Sequence, residues 1–185
     1  MNGAAVHAVA SADAEAICRI YNAALAERSS TFETEPRSPS DFEGRIEDTR
    51  FPFLVAAAER EVVGWAALAP YSARACYAGI GECSVYVALD ARGRGIGTAL
   101  AHALADAARE RDFHKLIGKL FTDNAASVRL VERCGFSSVG VHRRHGRLEG
   151  EWRDVLVVEQ LLDGDQANEV LPAERRSATR RHGHP

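Results

Sequence analysis

What this chain has little of narrows it first. Its 185 residues hold four cysteines, Cys18, Cys76, Cys83 and Cys134, and none stands in a Cys-x-x-Cys pair. That scatter argues against a disulfide framework and against a metal site, and predicts reduced thiols in a cytoplasmic protein. No apolar run approaches the ~20 residues that cross a bilayer. The start, MNGAAVHAVASADAEAI, carries acids early and lacks the basic-then-apolar pattern of a secretory leader. Neither charge sign dominates: the net charge is −3, which gives no general attraction to nucleic acid or a membrane surface. No segment repeats. What is present is ordinary for a globular protein, 46% hydrophobic and 26% charged, in a chain long enough for one domain with a real core.

Periodicity and punctuation give a coarse order of elements. A short strand at 5–10 is followed by a helix to about Ala26, with Ser11 as its expected cap. A polar loop holds Phe32. Ser40 is expected to cap a second helix over 41–49. Strands follow at 53–59 and 62–68, joined by a tight turn at Arg60-Glu61. A loop over 70–79 carries Tyr71, Arg74 and Tyr77. Then come a strand at 82–87, a glycine-rich loop, a helix, a strand at 115–120, and a helix stopped by Gly135. A final strand pair, 136–142 and 151–161, surrounds a connection at 143–150. This order predicts an α/β domain over 1–162, a mixed central sheet flanked by helices. From Asp163 the apolar pattern stops. Acids there balance two arginine pairs, so 163–185 is expected to be a disordered tail.

The stretch that carries chemistry is GECSVYVALDARGRGIGTALAHAL, residues 81–104. A β-rich run leads through Leu89-Asp90-Ala91 into Arg92-Gly93-Arg94-Gly95-Ile96-Gly97-Thr98, which opens a helix with Ile96, Leu100 and Leu104 on one face. Glycines ahead of a helix let main-chain N–H groups approach an anion, and the free donors and dipole of the first turn favour a phosphate. Two arginines add charge. A plain tight turn before an ordinary helix remains the alternative. Two other phosphate folds fit badly. A Rossmann unit needs this loop after its first strand and an acid about 20 residues on. Here three candidate strands precede the strand–loop unit, and Leu116-Ile117-Gly118 holds no acid. A Walker loop needs lysine before the Ser/Thr, and Gly97-Thr98 has none.

The loop resembles the acetyl-CoA loop of the GNAT N-acetyltransferases, Arg/Gln-x-x-Gly-x-Gly/Ala, with Arg92, Gly95 and Gly97 in the required places. Further stretches are similar to the phosphinothricin and methionine sulfoximine N-acetyltransferases. They are Ile20-Tyr21-Asn22, Thr31-Phe32-Glu33, the loop from Tyr71 to Tyr77, Glu82-Cys-Ser-Val-Tyr-Val87, Asp123-Asn-Ala-Ala-Ser127, Cys134-Gly-Phe136 and Trp152-Arg-Asp154. The segment 142–154, HRRHGRLEGEWRD, most resembles the arsinothricin-acetylating branch. The likeness spans about 5–161 and implies the GNAT fold. It also implies a homodimer, acetyl-CoA as co-substrate and no metal. The implied reaction acetylates the α-amine of a glutamate-like amino acid (arsinothricin, phosphinothricin or methionine sulfoximine), conferring resistance. A GNAT enzyme for a protein N-terminus or another small amine, and a non-catalytic CoA-binding module, are the alternatives.

The resemblance assigns roles residue by residue. Glu82 takes the place of the general base, against a reading as a solvated strand-edge acid. Val85, Tyr86 and Val87 are expected to meet acetyl-CoA through their main chain, and the loop Arg92, Gly93, Arg94, Gly95, Ile96, Gly97 and Thr98 to hold its diphosphate. Asn124 and Ser127 are expected beside the pantetheine arm, although Asn124 also suits a helix cap. Phe32, Arg74, Tyr77, Glu82, His145 and Arg147 are the expected substrate contacts. Val131 falls where many members place a tyrosine that protonates the leaving thiolate.

Overall fold

Why β3 organises the molecule is visible in its burial. In the computed structural model, which describes residues 4–162, β3 (Glu61–Pro70) is buried without interruption from Gly64 to Leu68. Such a strand needs cover on both faces. Trp65 and Ala67 point to one side, where they pack with Ile17, Tyr21 and Leu25 of α1 (Ala14–Ala26) and Phe42 of α2 (Ser40–Glu47). Ala66 and Leu68 point to the other, against Ile96, Leu100 and Leu104 of α3 (Ile96–Arg109). The sheet has seven strands in the order β1-β2-β3-β4-β5-β7-β6. The remaining strands are β1 (Ala5–Ala8), β2 (Phe53–Ala58), β4 (Ile80–Val87), β5 (Lys115–Phe121), β6 (Ser137–Leu148) and β7 (Glu151–Leu161). α4 (Ala125–Arg133) joins β5 to β6.

All pairs are antiparallel except β4 with β5, which α3 connects. That parallel pair is short. It runs from Ile80 opposite Lys115 to Glu82 opposite Ile117 and then parts. Beyond Glu82, β4 stays on β3 and β5 stays on β7. The sheet is therefore split at its centre, and the split begins at Glu82.

The expected α/β order with a mixed, helix-flanked sheet is present. Four local expectations need correction. Ser11 does not cap α1; it sits in a short 3₁₀ turn, and Asp13 accepts from the Ala10 N–H (2.8 Å) instead. Ser40 lies inside α2, because Asp41 reaches back to the Ser38 N–H (2.7 Å) and Pro39 supplies a helical φ one residue earlier. The β2–β3 turn is Glu59-Arg60, both at positive φ (52° and 73°), so Glu61 already belongs to β3. The expected connection at 143–150 is mostly strand: β6 continues to Leu148 through a bulge between His142 and Gly146. The predicted tail, 163–185, lies outside the described residues, and no described helix is long and apolar enough to cross a membrane.

Candidate active site

The split in the sheet exposes main-chain groups in a defined direction. Gly64 stands opposite Val87 in the antiparallel β3–β4 ladder, and the Ala88 N–H donates to the Val63 carbonyl (2.9 Å). Alternate residues of such a ladder turn their groups outward. Val87, Val85 and Cys83 thus present N–H and C=O to the side that β5 has left. The Val87 carbonyl accepts from Arg92 Nε (3.2 Å) on that side. Tyr86 is turned toward β3, so its main chain is not offered to the gap as expected; it contributes its side chain.

On one side of the gap lies a cleft of about 320 Å³. Val85, Tyr86, Val87, Arg92, Gly93, Gly95, Ile96, Gly97, Thr98, Asn124 and Ser127 all line it. Gly95 caps α3 at φ 82°, a left-handed conformation costly for other residues, and no side chain caps the helix. The first-turn N–H groups of α3 are consequently open donors at the positive end of its dipole. The arginines behave differently from expectation. Arg92 is held by Glu27 through two bonds (2.9 and 2.6 Å), which ties α1 to the loop, and Arg94 lies outside the lining. Positive charge comes instead from Arg129 and Arg133 of α4, which line the cleft. Their i, i+4 spacing was the sequence signal for a shared face. Asn124 does cap α4, accepting from the Ser127 N–H (3.0 Å), and it also donates to the Ser29 carbonyl (2.9 Å). One N–H and one lone pair of that amide remain for a ligand.

On the α1 face of the gap lies a second cavity of about 440 Å³. Phe32, Glu82 and His145 line it, together with Tyr21, Arg45, Trp65 and Lys119. Phe32 is seated edge-on to Phe121 (4.8 Å between centroids) and close against Gly146, where a Cβ would lie 2.8 Å from its ring. Glycine at 146 is what lets the α1–α2 loop close over the sheet. His145 is turned inward at the β6 bulge, beside His142 (4.8 Å). Three expected contacts are not brought here. Arg74 and Tyr77 sit on the β3–β4 connection outside the lining, where Tyr77 packs on Tyr71 (5.7 Å). Arg147 lies over the ring of its cross-strand neighbour Trp152 (4.5 Å).

Ser30 and Tyr86 border both spaces and a smaller cavity of about 110 Å³ between them, which Cys83, Ser84, Gly118 and Val131 also line. Glu82 stands at the branch of β4 and β5, and Lys119 Nζ donates to its Oε2 (2.7 Å). Lys119 was missed because a lysine in a strand reads as a solvated side chain. An ionised carboxylate has about four acceptor sites, so the pair orients Glu82 without exhausting it. Beside it, burial pushes the Cys83 thiol up to about 12, which keeps it neutral and a poor nucleophile. Burial also raises the Tyr86 phenol. No cluster of three metal-ligating side chains is found among the described residues. The arrangement suits direct transfer between a ligand on the α3 side and an amine on the α1 side, with a carboxylate on the amine's side.

Comparison with known proteins agrees with this geometry. The profile of the acetyltransferase (GNAT) family matches residues 16–136. The chain is 37% identical over 156 residues to a phosphinothricin N-acetyltransferase of Streptomyces coelicolor, covering 81% of this chain and 91% of that one. It is 33% identical over 157 residues to an L-methionine sulfoximine/L-methionine sulfone acetyltransferase of Pseudomonas aeruginosa, covering 82% and 91%. Among solved structures, a GNAT-superfamily phosphinothricin acetyltransferase from Sinorhizobium meliloti in complex with acetyl-CoA superposes with a TM-score of 0.81. It is 27% identical, over 86% of this chain and 89% of that one.

Proposed function

Because the chain belongs to the GNAT acetyltransferase family and is an N-acetyltransferase, we propose that it moves the acetyl group of acetyl-CoA to the α-amine of a glutamate-like amino acid with a tetrahedral head group. Arsinothricin comes first, on the likeness of 142–154, then phosphinothricin and methionine sulfoximine. Resistance to such a compound in the cytoplasm is the physiological consequence. The observation that carries the reading is the position of Glu82: a carboxylate at the point where the strands part, lining the polar cavity on the α1 face, with an anion-ready helix end across the gap.

In this mechanism the diphosphate of acetyl-CoA lies on the Arg92–Thr98 loop and its pantetheine runs along the outward N–H groups of β4. Glu82, directly or through one water, takes a proton from the substrate ammonium. The freed amine attacks the thioester carbon, and the carbonyl oxygen gains negative charge facing the Val85 N–H. Collapse breaks the C–S bond, and the new amide nitrogen gives its second proton to water. The thiolate leaves toward the space lined by Val131, which brings no phenol of its own, and takes its proton from water. Positioning supplies much of the rate.

We assign the domain to 1–162 and place a second copy of the chain on the β6–β7 edge, where Val139, Val141, Trp152 and Leu161 are exposed. A homodimer by light scattering at micromolar concentration is the expected result; a monomer would remove that part. The substrate reading is tested by competition among the three analogues, a polyamine and a short peptide. Preference for the polyamine or the peptide would overturn it and leave the family assignment standing.

A further inference from the structure

The second cavity holds a cation without a counterion. Arg45 projects from α2 into it, with its guanidinium 5.5 Å from the centre of the Phe53 ring. Among the described residues it forms no ion pair and no hydrogen bond, whereas the other charges nearby are engaged. Glu33 is taken by both ends of Arg37 (2.8 and 2.7 Å), Asp41 by Ser38, and Lys119 by Glu82. Burial pulls the Arg45 pKa below the ordinary arginine value, yet a guanidinium does not give up its proton. The groups packed around it are Phe53, Tyr21 and Tyr86. Trp65 lines the same cavity, and its indole N–H is buried and meets no acceptor. An unpaired, part-buried fork of donors in the same cavity as an unsatisfied N–H suits an anion.

Strand register says which anion. Phe53 stands opposite Ala67, and Ala67 opposite Ser84. Arg45 therefore lies over the second strand from β4, about 10 Å across the sheet, at the level of Ser84 and two residues, about 7 Å, along from Glu82. The α-carboxylate of an amino acid is one carbon from the amine that must meet Glu82. The head group is three carbons away. Resting on the substrate reading above, we propose that Arg45 and the Trp65 N–H form the subsite for the anionic head group of the substrate. The cavity thus selects amino acids whose far end carries a phosphinate- or arsonate-like oxyanion over those with a neutral end.

The test separates binding from turnover. Dimethylphosphinate, a head-group mimic with no amine, is titrated into the full chain while the indole N–H resonances are followed. Trp65 is expected to shift and Trp152, which lies outside the cavity, to stay. Dimethyl sulfone, uncharged, is expected to move neither. In Arg45→Gln the apparent affinity for dimethylphosphinate should fall at least tenfold. The KM for phosphinothricin should rise about 10- to 100-fold, with the KM for acetyl-CoA unchanged and the KM for methionine sulfone rising less. Arg45→Lys, which keeps the charge and loses the fork, should fall between. An unmoved Trp65 in the wild type, or equal losses for phosphinothricin and methionine sulfone, would overturn the subsite. If Arg45→Gln does not fold, the wild-type titration decides alone. Should the wild type acetylate none of the amino acids, the substrate reading fails while the titration still reports on Arg45.

Discussion

The two halves of the site are built in opposite ways. The cofactor cleft is made largely from one continuous stretch, β4 through the start of α3, and it works with main chain: outward N–H groups of β4 and an uncapped helix end. The proposed substrate cavity is made from side chains of α1, the α1–α2 loop, α2, β3, β4, β5, β6 and β7, gathered from short pieces spread over most of the domain. Main-chain recognition depends on φ and on glycine, so it leaves a readable signature. Side-chain recognition depends on which residues the fold brings together. The first half suits a ligand that does not vary, and the second can be changed residue by residue without disturbing it.

Substitutions test that division, beginning with the largest effect. Glu82→Gln keeps the shape and removes the base. We expect turnover to fall by ~10²–10⁴, with acetyl-CoA affinity unchanged by calorimetry. Wild-type turnover at neutral pH would remove Glu82 from the chemistry. Gly95→Asp attacks the other half. A left-handed φ of 82° is strained for aspartate, and its charge meets the expected diphosphate. Acetyl-CoA binding should weaken by ~10²-fold in a protein that still folds, since a Cβ there meets no protein atom within 4 Å. Unchanged affinity would refute the loop assignment.

Gly146→Val should act on the substrate half alone. A side chain would meet the Phe32 ring at 2.8 Å and lift the α1–α2 loop. The KM for the amino acid is expected to rise about tenfold, measured beside a constant KM for acetyl-CoA. An equal rise in both constants would mean the halves are mechanically coupled. Cys83→Ala is expected to stay within about threefold of wild-type turnover, because the neutral thiol takes no part in direct transfer. A collapse of turnover, or trapping of an acetylated cysteine by mass spectrometry, would replace direct transfer with a two-step route.

The smallest effect concerns the cavity wall. Arg37 hydrogen-bonds Glu33 and holds its carboxyl below the usual range. A depressed folded pKa contributes stability above the unfolded value, near about 4.3, and loses it as pH falls through the folded value. The pair is partly exposed, so Arg37→Met should cost only ~0–1 kcal/mol at neutral pH. Denaturation curves for the two proteins should converge in acid. A gap that stays constant down to pH 2 would assign the effect to packing.

The legibility of the site follows the same division. Gly95 could be read because the loop's left-handed conformation there requires it, Arg92 and Gly97 only because the loop pattern pairs them with it, and Asn124 because a helix start favours it. Their meaning still shifted on folding. Arg92 turned to Glu27, a residue far away in the chain, and the cleft's charge came from Arg129 and Arg133. Arg45 and Lys119 gave no signal at all, since a lone basic residue on a short helix or in a strand reads as solvated. Arg147 pointed the other way: its pattern suggested a contact, and Trp152 holds it outside.

By itself, the order of apolar periods and turn residues determined an α/β domain with a mixed sheet, and the glycine loop after the fourth strand determined a helix start without a side-chain cap. These rest on local physics: side-chain period, φ limits and free donors at a helix start. Only the tertiary structure decided that β4 and β5 part after Glu82, that Lys119 orients that carboxylate, and that Arg45 lies over Phe53 with no partner among the described residues. Those facts depend on pairing between segments distant in sequence, and a charge acquires its partner, or fails to, only when the chain has closed around it.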